Sequence, residues 1–161
     1  MTTPGHPARL FLAAAALSLG VVGTALYTQH ALGMLPCPWC VLQRLIFVVV
    51  AAAALLGAAL SSPAAGRAAA GAMLLGAVAG TGAALWQHFV ATSDTSCKLT
   101  LADRIMSASG LDALLPDVFA AWASCADAAV KLWGLPYEAW SLAVFLLLAA
   151  VAVKLLLQPR G

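Results

Sequence analysis

The sequence is short of charge. Only 9% of its 161 residues are charged, whereas 63% are hydrophobic, and a soluble domain usually has about a quarter charged residues. Such a composition cannot cover a surface that faces water, so we expect the bilayer to be the solvent of this chain. The formal net charge of +2 is too small to indicate a nucleic-acid partner, and the length suits one domain over residues 1–161.

Acidic residues are absent from most of the chain. All six lie between Asp94 and Glu138. Because a carboxylate inside hydrocarbon costs about 2.5–3.5 kcal/mol even on the lenient insertion scale, we expect this stretch to be an aqueous loop. The apolar segments hold no carboxylate, which argues against the alternative of a small proton-coupled transporter or channel, since such proteins usually keep one inside a span.

Four predominantly apolar segments are present, at about residues 10–29, 41–60, 68–89 and 140–157. Each is long enough to cross about 30 Å of hydrocarbon as a helix. The first segment is longer than the core of a typical signal peptide and no clear cleavage site follows it, so we expect it to be retained. The sequence therefore predicts an all-α membrane protein, a four-transmembrane-helix bundle with a long external loop between helices 3 and 4.

The basic residues predict the orientation of the bundle. The N-terminus, the second connection and the C-terminus lie on one side of a four-helix bundle, and they carry Arg9, Arg67, Lys154 and Arg160. The positive-inside rule places that side in the cytoplasm. The short loop 31–40 and the long loop 90–139 are then external.

Two patterns of apolar and small residues remain open to alternatives. In the long loop, apolar residues from Leu111 to Trp122 follow a helical period that Pro116 interrupts. This predicts a short or bent helix, which either lies in the membrane interface or packs on top of the bundle. In the third segment, Gly76 and Gly80 form a G-x-x-x-G pattern that serves either dimerisation or, as we favour, close packing within the bundle.

The four cysteines fall two to each external loop, on the side where disulfides persist. Cys37 and Cys40 form a C-x-x-C at the predicted start of the second helix, where the helix dipole and free N–H groups stabilise a thiolate. We expect Cys40 to gain most, and Arg44 follows one turn later on the same face. The alternatives are a structural disulfide with an arginine that reaches the interface, and a zinc site, which the wide spacing of the other cysteines disfavours.

The remaining candidates are ambiguous from spacing alone. A bridge between Cys97 and Cys125 would close a loop of about 28 residues, worth roughly 3–4 kcal/mol as a permanent disulfide, yet an exposed bridge is also easily attacked. His88 lies near the external end of the third segment, where it would either donate a hydrogen bond to a bound ligand or simply reach water.

These motifs together resemble the DsbB family of disulfide bond formation proteins over nearly the whole chain. The resemblance rests on Gln29-His30, on Pro36-Cys37-Pro38-Trp39-Cys40 with Arg44 after it, and on Gln87-His88 followed by Cys97. It continues through Val118-Phe119, Cys125-Ala126 and Gly134-Leu135. It implies a bacterial inner-membrane enzyme that reoxidises a periplasmic thioredoxin-fold partner, DsbA, and passes the electrons to ubiquinone or menaquinone.

The resemblance also implies a role for each site residue. Cys97 would form the mixed disulfide with the partner, and Cys125 would be its mate in the long loop. Cys37 would exchange with that pair, and Cys40 would be the thiolate that meets the quinone. The quinone would lie near Arg44 and His88.

The chain departs from the family pattern where other members often carry glutamate. Gln43 precedes the arginine here and Gln87 precedes the histidine, which leaves the proton route to the quinone open. Two alternative functions remain. One is a quinone reductase like vitamin K epoxide reductase, whose C-x-x-C normally follows the loop cysteines instead of preceding them. The other is a membrane assembly factor with inert disulfides.

Overall fold

The protein is described by a computed structural model that covers residues 6–60, 62–91 and 99–158. Four of its helices are long and apolar enough to cross a membrane, which confirms the predicted multi-pass bundle. A π-helical turn, Gln87–Ala91, continues the third of them. The elements in chain order are α1 (His6–Leu32), α2 (Pro38–Ala59), α3 (Pro63–Trp86), α4 (Leu101–Ser109), α5 (Leu111–Leu114), α6 (Pro116–Phe119), β1 (Lys131–Leu132), β2 (Leu135–Pro136) and α7 (Tyr137–Leu157).

Each spanning helix begins earlier than the apolar pattern predicted. Pro38 and Pro63 stand at the first helical positions of α2 and α3, where proline's fixed φ suits the helix and its missing N–H costs nothing. The helix α7 begins at Tyr137, so its first turn includes Glu138. The prediction that Glu138 belongs to the aqueous loop is therefore wrong, because a carboxylate at the end of a span can be held by a partner.

The helices α2 and α3 form the centre of the bundle, with α1 packed on α2 and α7 packed on α3. The core contains Phe11, Phe47, Met73 and Phe145, and the rings of Phe47 and Phe145 stack with centroids 4.0 Å apart. Large apolar side chains are also exposed around the spanning helices, as lipid-facing surfaces require; examples are Leu12, Leu19, Leu55, Leu75, Val78 and Leu146. The helices α1 and α7 touch little, which leaves space between them.

The glycines of α3 lie where neighbouring helices come closest. A Cβ at Gly76 would lie 2.6 Å from Cγ2 of Val50 in α2, and a Cβ at Gly80 would overlap the ring of Phe145 in α7. Close packing inside the bundle therefore accounts for the G-x-x-x-G pattern.

We expect Gly80→Ala to destabilise the protein by about 1–3 kcal/mol, because the new methyl group forces the stacked ring of Phe145 to move within a full core. Gly82→Ala is the matched control, since nothing lies within 4 Å of its Cβ position. Thermal unfolding in one detergent measures both variants. Equal midpoints for the two would contradict the packing assigned to Gly80.

The connection between α3 and α7 holds more structure than the sequence predicted. The predicted break at Pro116 is present, because α5 and α6 are separate single turns, but the helix does not continue to Trp122. The helix α4 was missed, although Thr100 and Asp103 form a capping box at its start and Gly110 ends it with φ +68°. The hairpin β1–β2 was missed as well; its turn residues Trp133 and Gly134 both have positive φ.

Candidate functional site

The C-x-x-C lies at the start of α2, as predicted, but with its two cysteines in different roles. Cys37 is the N-cap, and its sulfur accepts a hydrogen bond from the backbone N–H of Cys40 at 3.3 Å. The two Sγ atoms lie 2.8 Å apart. Cys37 therefore precedes the first residue of α2 and Cys40 lies in its first turn, so that a free N–H group of this turn serves the sulfur of Cys37.

The long connection is tied down so that Cys125 reaches this helix start. The carbonyl of Pro36 accepts hydrogen bonds from the backbone N–H groups of Trp122, at 2.9 Å, and Ala123, at 3.2 Å. Cys125 follows two residues later and is buried in one cluster with Cys37, Trp39 and Phe119. The first external loop and the second are thus joined through the backbone directly beside their cysteines.

Cys37 lies between the other two described cysteines and bonds to both. The pKa of Cys37 is raised, because the neighbouring sulfurs of Cys125 and Cys40 favour its protonated form as hydrogen-bond partners and because it is buried. The pKa of Cys125 is lowered, chiefly by the hydrogen bond from Cys37 and also by the backbone N–H of Trp39. No disulfide joins these three cysteines to one another, and Cys97 lies outside the described residues.

This arrangement predicts how the reduced protein reacts with an alkylating agent. Since its pKa is lowered, Cys125 keeps its thiolate to lower pH than an ordinary thiol of pKa about 8.5, and its alkylation rate should reach half-maximum at a correspondingly lower pH. Cys37 should stay unmodified over the same range. Mass spectrometry of the alkylated peptides measures the midpoints. In Cys37→Ala the midpoint of Cys125 should rise, and a midpoint that stays in place would contradict the hydrogen bond.

Arg44 is buried below the cysteines, with only 6% of its surface exposed. Its Nη1 donates to Oε1 of Gln29 at 2.6 Å and to the carbonyl of Val118 at 3.1 Å, and its Nη2 donates to the carbonyl of Ala25 at 3.4 Å. Within the part of the chain that the structure describes, no carboxylate pairs with it. A guanidinium has five N–H donors, so this cation keeps donors and charge for an anion or a carbonyl oxygen.

Two glutamine side chains form a chain of hydrogen bonds next to Cys40. Gln87 donates from Nε2 to the sulfur of Cys40 at 3.3 Å and accepts at Oε1 from Nε2 of Gln43 at 2.7 Å. Both side chains are buried. The two positions at which the chain departs from the family pattern therefore form one hydrogen-bonded pair that orients the sulfur.

A cavity of about 490 Å³ opens beside Cys40 and Arg44, between α1 and α7. Its wall is mostly apolar, and its size lies in the range of small-molecule sites. The polar groups on it are concentrated at the cysteine end, which we define as the end of the bundle where α1 ends and α2 begins. They include Cys40, Gln43, Arg44, Gln87, Tyr137, Glu138 and Ser141.

His88 lies at the cysteine end of the bundle but does not line the cavity. Among the residues that the structure describes, the cavity is lined by Gln87 and Glu138 but not by His88. Instead, Nδ1 of His88 lies 2.8 Å from Oε1 of Glu138. Two residues of this group were missed from the sequence: Glu138, assigned to the loop, and Gln29, whose amide in an apolar segment was a signal for a buried polar partner.

The geometry defines a class: a membrane protein with a dithiol at a helix start, next to a buried cation and an apolar cavity. The comparison with known families then gives the particular one, because the family described as Disulfide bond formation protein DsbB matches residues 7–155. The chain belongs to the DsbB family.

Individual proteins of the family match this chain over nearly their whole length. The chain is similar to "Disulfide bond formation protein B" of Aromatoleum aromaticum, with 36% identity over 94% of this chain and 93% of the relative. The proteins of that name from Nitrosospira multiformis and Burkholderia pseudomallei are 32% and 30% identical, over 98% and 95% of this chain and 96% and 91% of the relatives.

Proposed function

We propose that this protein is a dithiol:quinone oxidoreductase of a bacterial inner membrane, with both termini cytoplasmic and the cysteine end periplasmic. It takes electrons from a DsbA-like thioredoxin-fold partner and passes them to membrane quinone. Family membership and the names of the relatives support the disulfide-forming part. The single observation that carries the mechanism is the position of Cys37, which bonds to Cys125 on one side and to Cys40, on the cavity wall, on the other.

The proposed thiol steps follow this order of contacts. The reduced partner attacks the disulfide of Cys97 and Cys125 and forms a mixed disulfide with Cys97. This attack releases Cys125, whose lowered pKa makes it the better leaving group. The Cys125 thiolate attacks Cys37 of the Cys37–Cys40 disulfide, forms a bond to Cys37 and releases Cys40. The second thiol of the partner then displaces Cys97 and closes the partner's disulfide, and Cys97 attacks Cys125, which restores the loop bridge and releases Cys37. Electrons thereby reach the pair of Cys37 and Cys40 as two thiols.

The cavity fits a quinone by shape and by chemistry. Its apolar wall suits an isoprenoid ring compound, and it lies between two helices that touch little, so that a lipid-borne molecule can reach it. Arg44 would hold a quinone oxygen with its remaining N–H donors, and Gln43 and Gln87 would hold the sulfur of Cys40 in line. When bound, a quinone supplies an acceptor for two electrons and two protons.

Quinone reduction by the purified protein tests the proposal. A reduced thioredoxin-fold dithiol is mixed with the protein in detergent, and the absorbance of water-soluble ubiquinone or menaquinone analogues is followed. We expect turnover that depends on both the dithiol and the quinone. No turnover with either analogue, together with cysteine bridges that resist mild reductant, would favour the assembly factor with inert disulfides.

A further inference from the structure

Glu138 is the one acidic side chain on the cavity wall within the described residues. It lies in the first turn of α7 and is only 6% exposed. A carboxylate buried in this way is tolerated when it is paired or when it carries a proton. No step proposed so far uses it.

His88 joins this buried carboxylate to water. Its side chain is 45% exposed on the π-helical turn, and its Nδ1 lies 2.8 Å from Oε1 of Glu138. The pair can hold one proton on either partner, as carboxylic acid beside neutral imidazole or as carboxylate beside imidazolium. It therefore reaches from the surface at the cysteine end to the cavity wall.

The other groups around the cavity do not offer this route. Gln43 and Gln87 are amides and carry no exchangeable net proton, and α1 presents no ionisable side chain to the cavity. Arg44 stays protonated at all relevant pH. Tyr137 is held to Thr28 by a 3.1 Å hydrogen bond, and Lys131 is exposed on the neighbouring strand. Cys40 itself must give up its proton to react.

We propose that Glu138 and His88 form a proton relay between the cavity and the water at the cysteine end. The inference rests on the proposed function, and it supplies the proton route that amides at positions 43 and 87 cannot provide. Oxidation of the Cys37 and Cys40 thiols to a disulfide releases two electrons and two protons; the quinone-class acceptor takes two electrons and two protons. The carboxyl of Glu138 gives a proton toward the cavity twice for each acceptor reduced; each time it regains a proton from His88, whose ring regains one from water, while the two thiol protons return to water.

The test compares Glu138→Gln with the wild-type protein, because glutamine keeps the size and a hydrogen bond but not the proton. We expect kcat for quinone reduction to fall on the order of 100-fold, the usual contribution of a positioned acid, and its pH profile to lose one limb. Formate or acetate should restore part of the rate in Glu138→Ala. His88→Gln should slow turnover less, since water can still reach Glu138. Asp112→Asn, which removes an acid far from the cavity, is the matched control and should behave like wild type.

Two measurements without turnover separate proton transfer from binding. The dissociation constant of an oxidised quinone analogue, measured by fluorescence quenching, should change less than about threefold in Glu138→Gln, since the removed proton is not part of the binding contact. Infrared spectra of quinone-free protein across pH should show a carboxylic acid band that Glu138→Gln lacks. A loss of affinity with unchanged kcat, or wild-type kcat at every pH, overturns the relay while the proposed function stands. A wild-type protein that reduces no quinone overturns both.

Discussion

Replacing Cys40 with serine will stop electron transfer to quinone and leave thiol exchange between the two loops intact. Cys40 is the cysteine on the cavity wall, and Gln87 donates a hydrogen bond to its sulfur. Loss of a reacting nucleophile costs on the order of 1,000-fold or more in kcat. The thiol-driven reduction of a quinone analogue, followed by absorbance, measures this loss.

The same variant should trap a disulfide between Cys37 and Cys125. With Cys40 removed, the Cys37 thiolate can still attack the proposed Cys97–Cys125 bridge and release Cys97, an exchange that needs no oxidant. Mass spectrometry of peptides from the non-reduced protein identifies the bridge, and its formation shows that the variant is folded. Residual quinone reduction above about one hundredth of the wild-type rate would remove Cys40 from its role.

Arg44→Ala should weaken quinone reduction about 10- to 100-fold while partner exchange at the loop cysteines continues. The range corresponds to the loss of charged hydrogen bonds worth about 1.5–3 kcal/mol. We expect the change mainly in KM, because the proposed role of Arg44 is to bind the acceptor. Arg44→Lys keeps the charge but not the planar set of donors, and should recover only part of the loss.

The control for this variant is Arg67→Ala, which removes an exposed guanidinium at the opposite end of the bundle. Thermal unfolding accompanies the kinetics, because the truncation also leaves Gln29 and the carbonyl of Val118 without a partner. Unchanged quinone affinity and turnover in Arg44→Ala would refute the role, and equal loss in Arg67→Ala would show a general effect of charge.

Hydropathy predicted the four spans because lipid imposes a length and a polarity on each of them. It placed the helix starts too late because proline and polar residues belong to the first turns of α2, α3 and α7. The sequence pattern could have predicted α4, since a threonine, an aspartate three residues later and a glycine after the last turn mark its ends. It could not predict that α6 ends at Phe119 while the apolar period runs on to Trp122, because hydrogen bonds to the carbonyl of Pro36 hold the backbone there.

Some features of the candidate site could likewise be predicted from the sequence and others could not. The C-x-x-C and Arg44 were predictable, since helix capping and i+4 spacing are local. The contact of Cys125 with Cys37, the amide pair of Gln43 and Gln87, and the position of Glu138 were not, because each depends on how separate elements pack. In the proposed mechanism, those long-range contacts determine the order in which the thiols exchange.

The hydrogen bond between Arg44 and the carbonyl of Val118 connects the long external connection to the cavity. Arg44 holds the carbonyl of Val118, at the end of the single turn that precedes the Cys125 segment, and also faces the cavity. A movement of this turn away from α2 would break the bond and free an N–H donor of Arg44 at the cavity wall. Under the proposed function, the docking of a partner on the loop and the affinity for a lipid-borne molecule in the cavity would thus be coupled through one side chain.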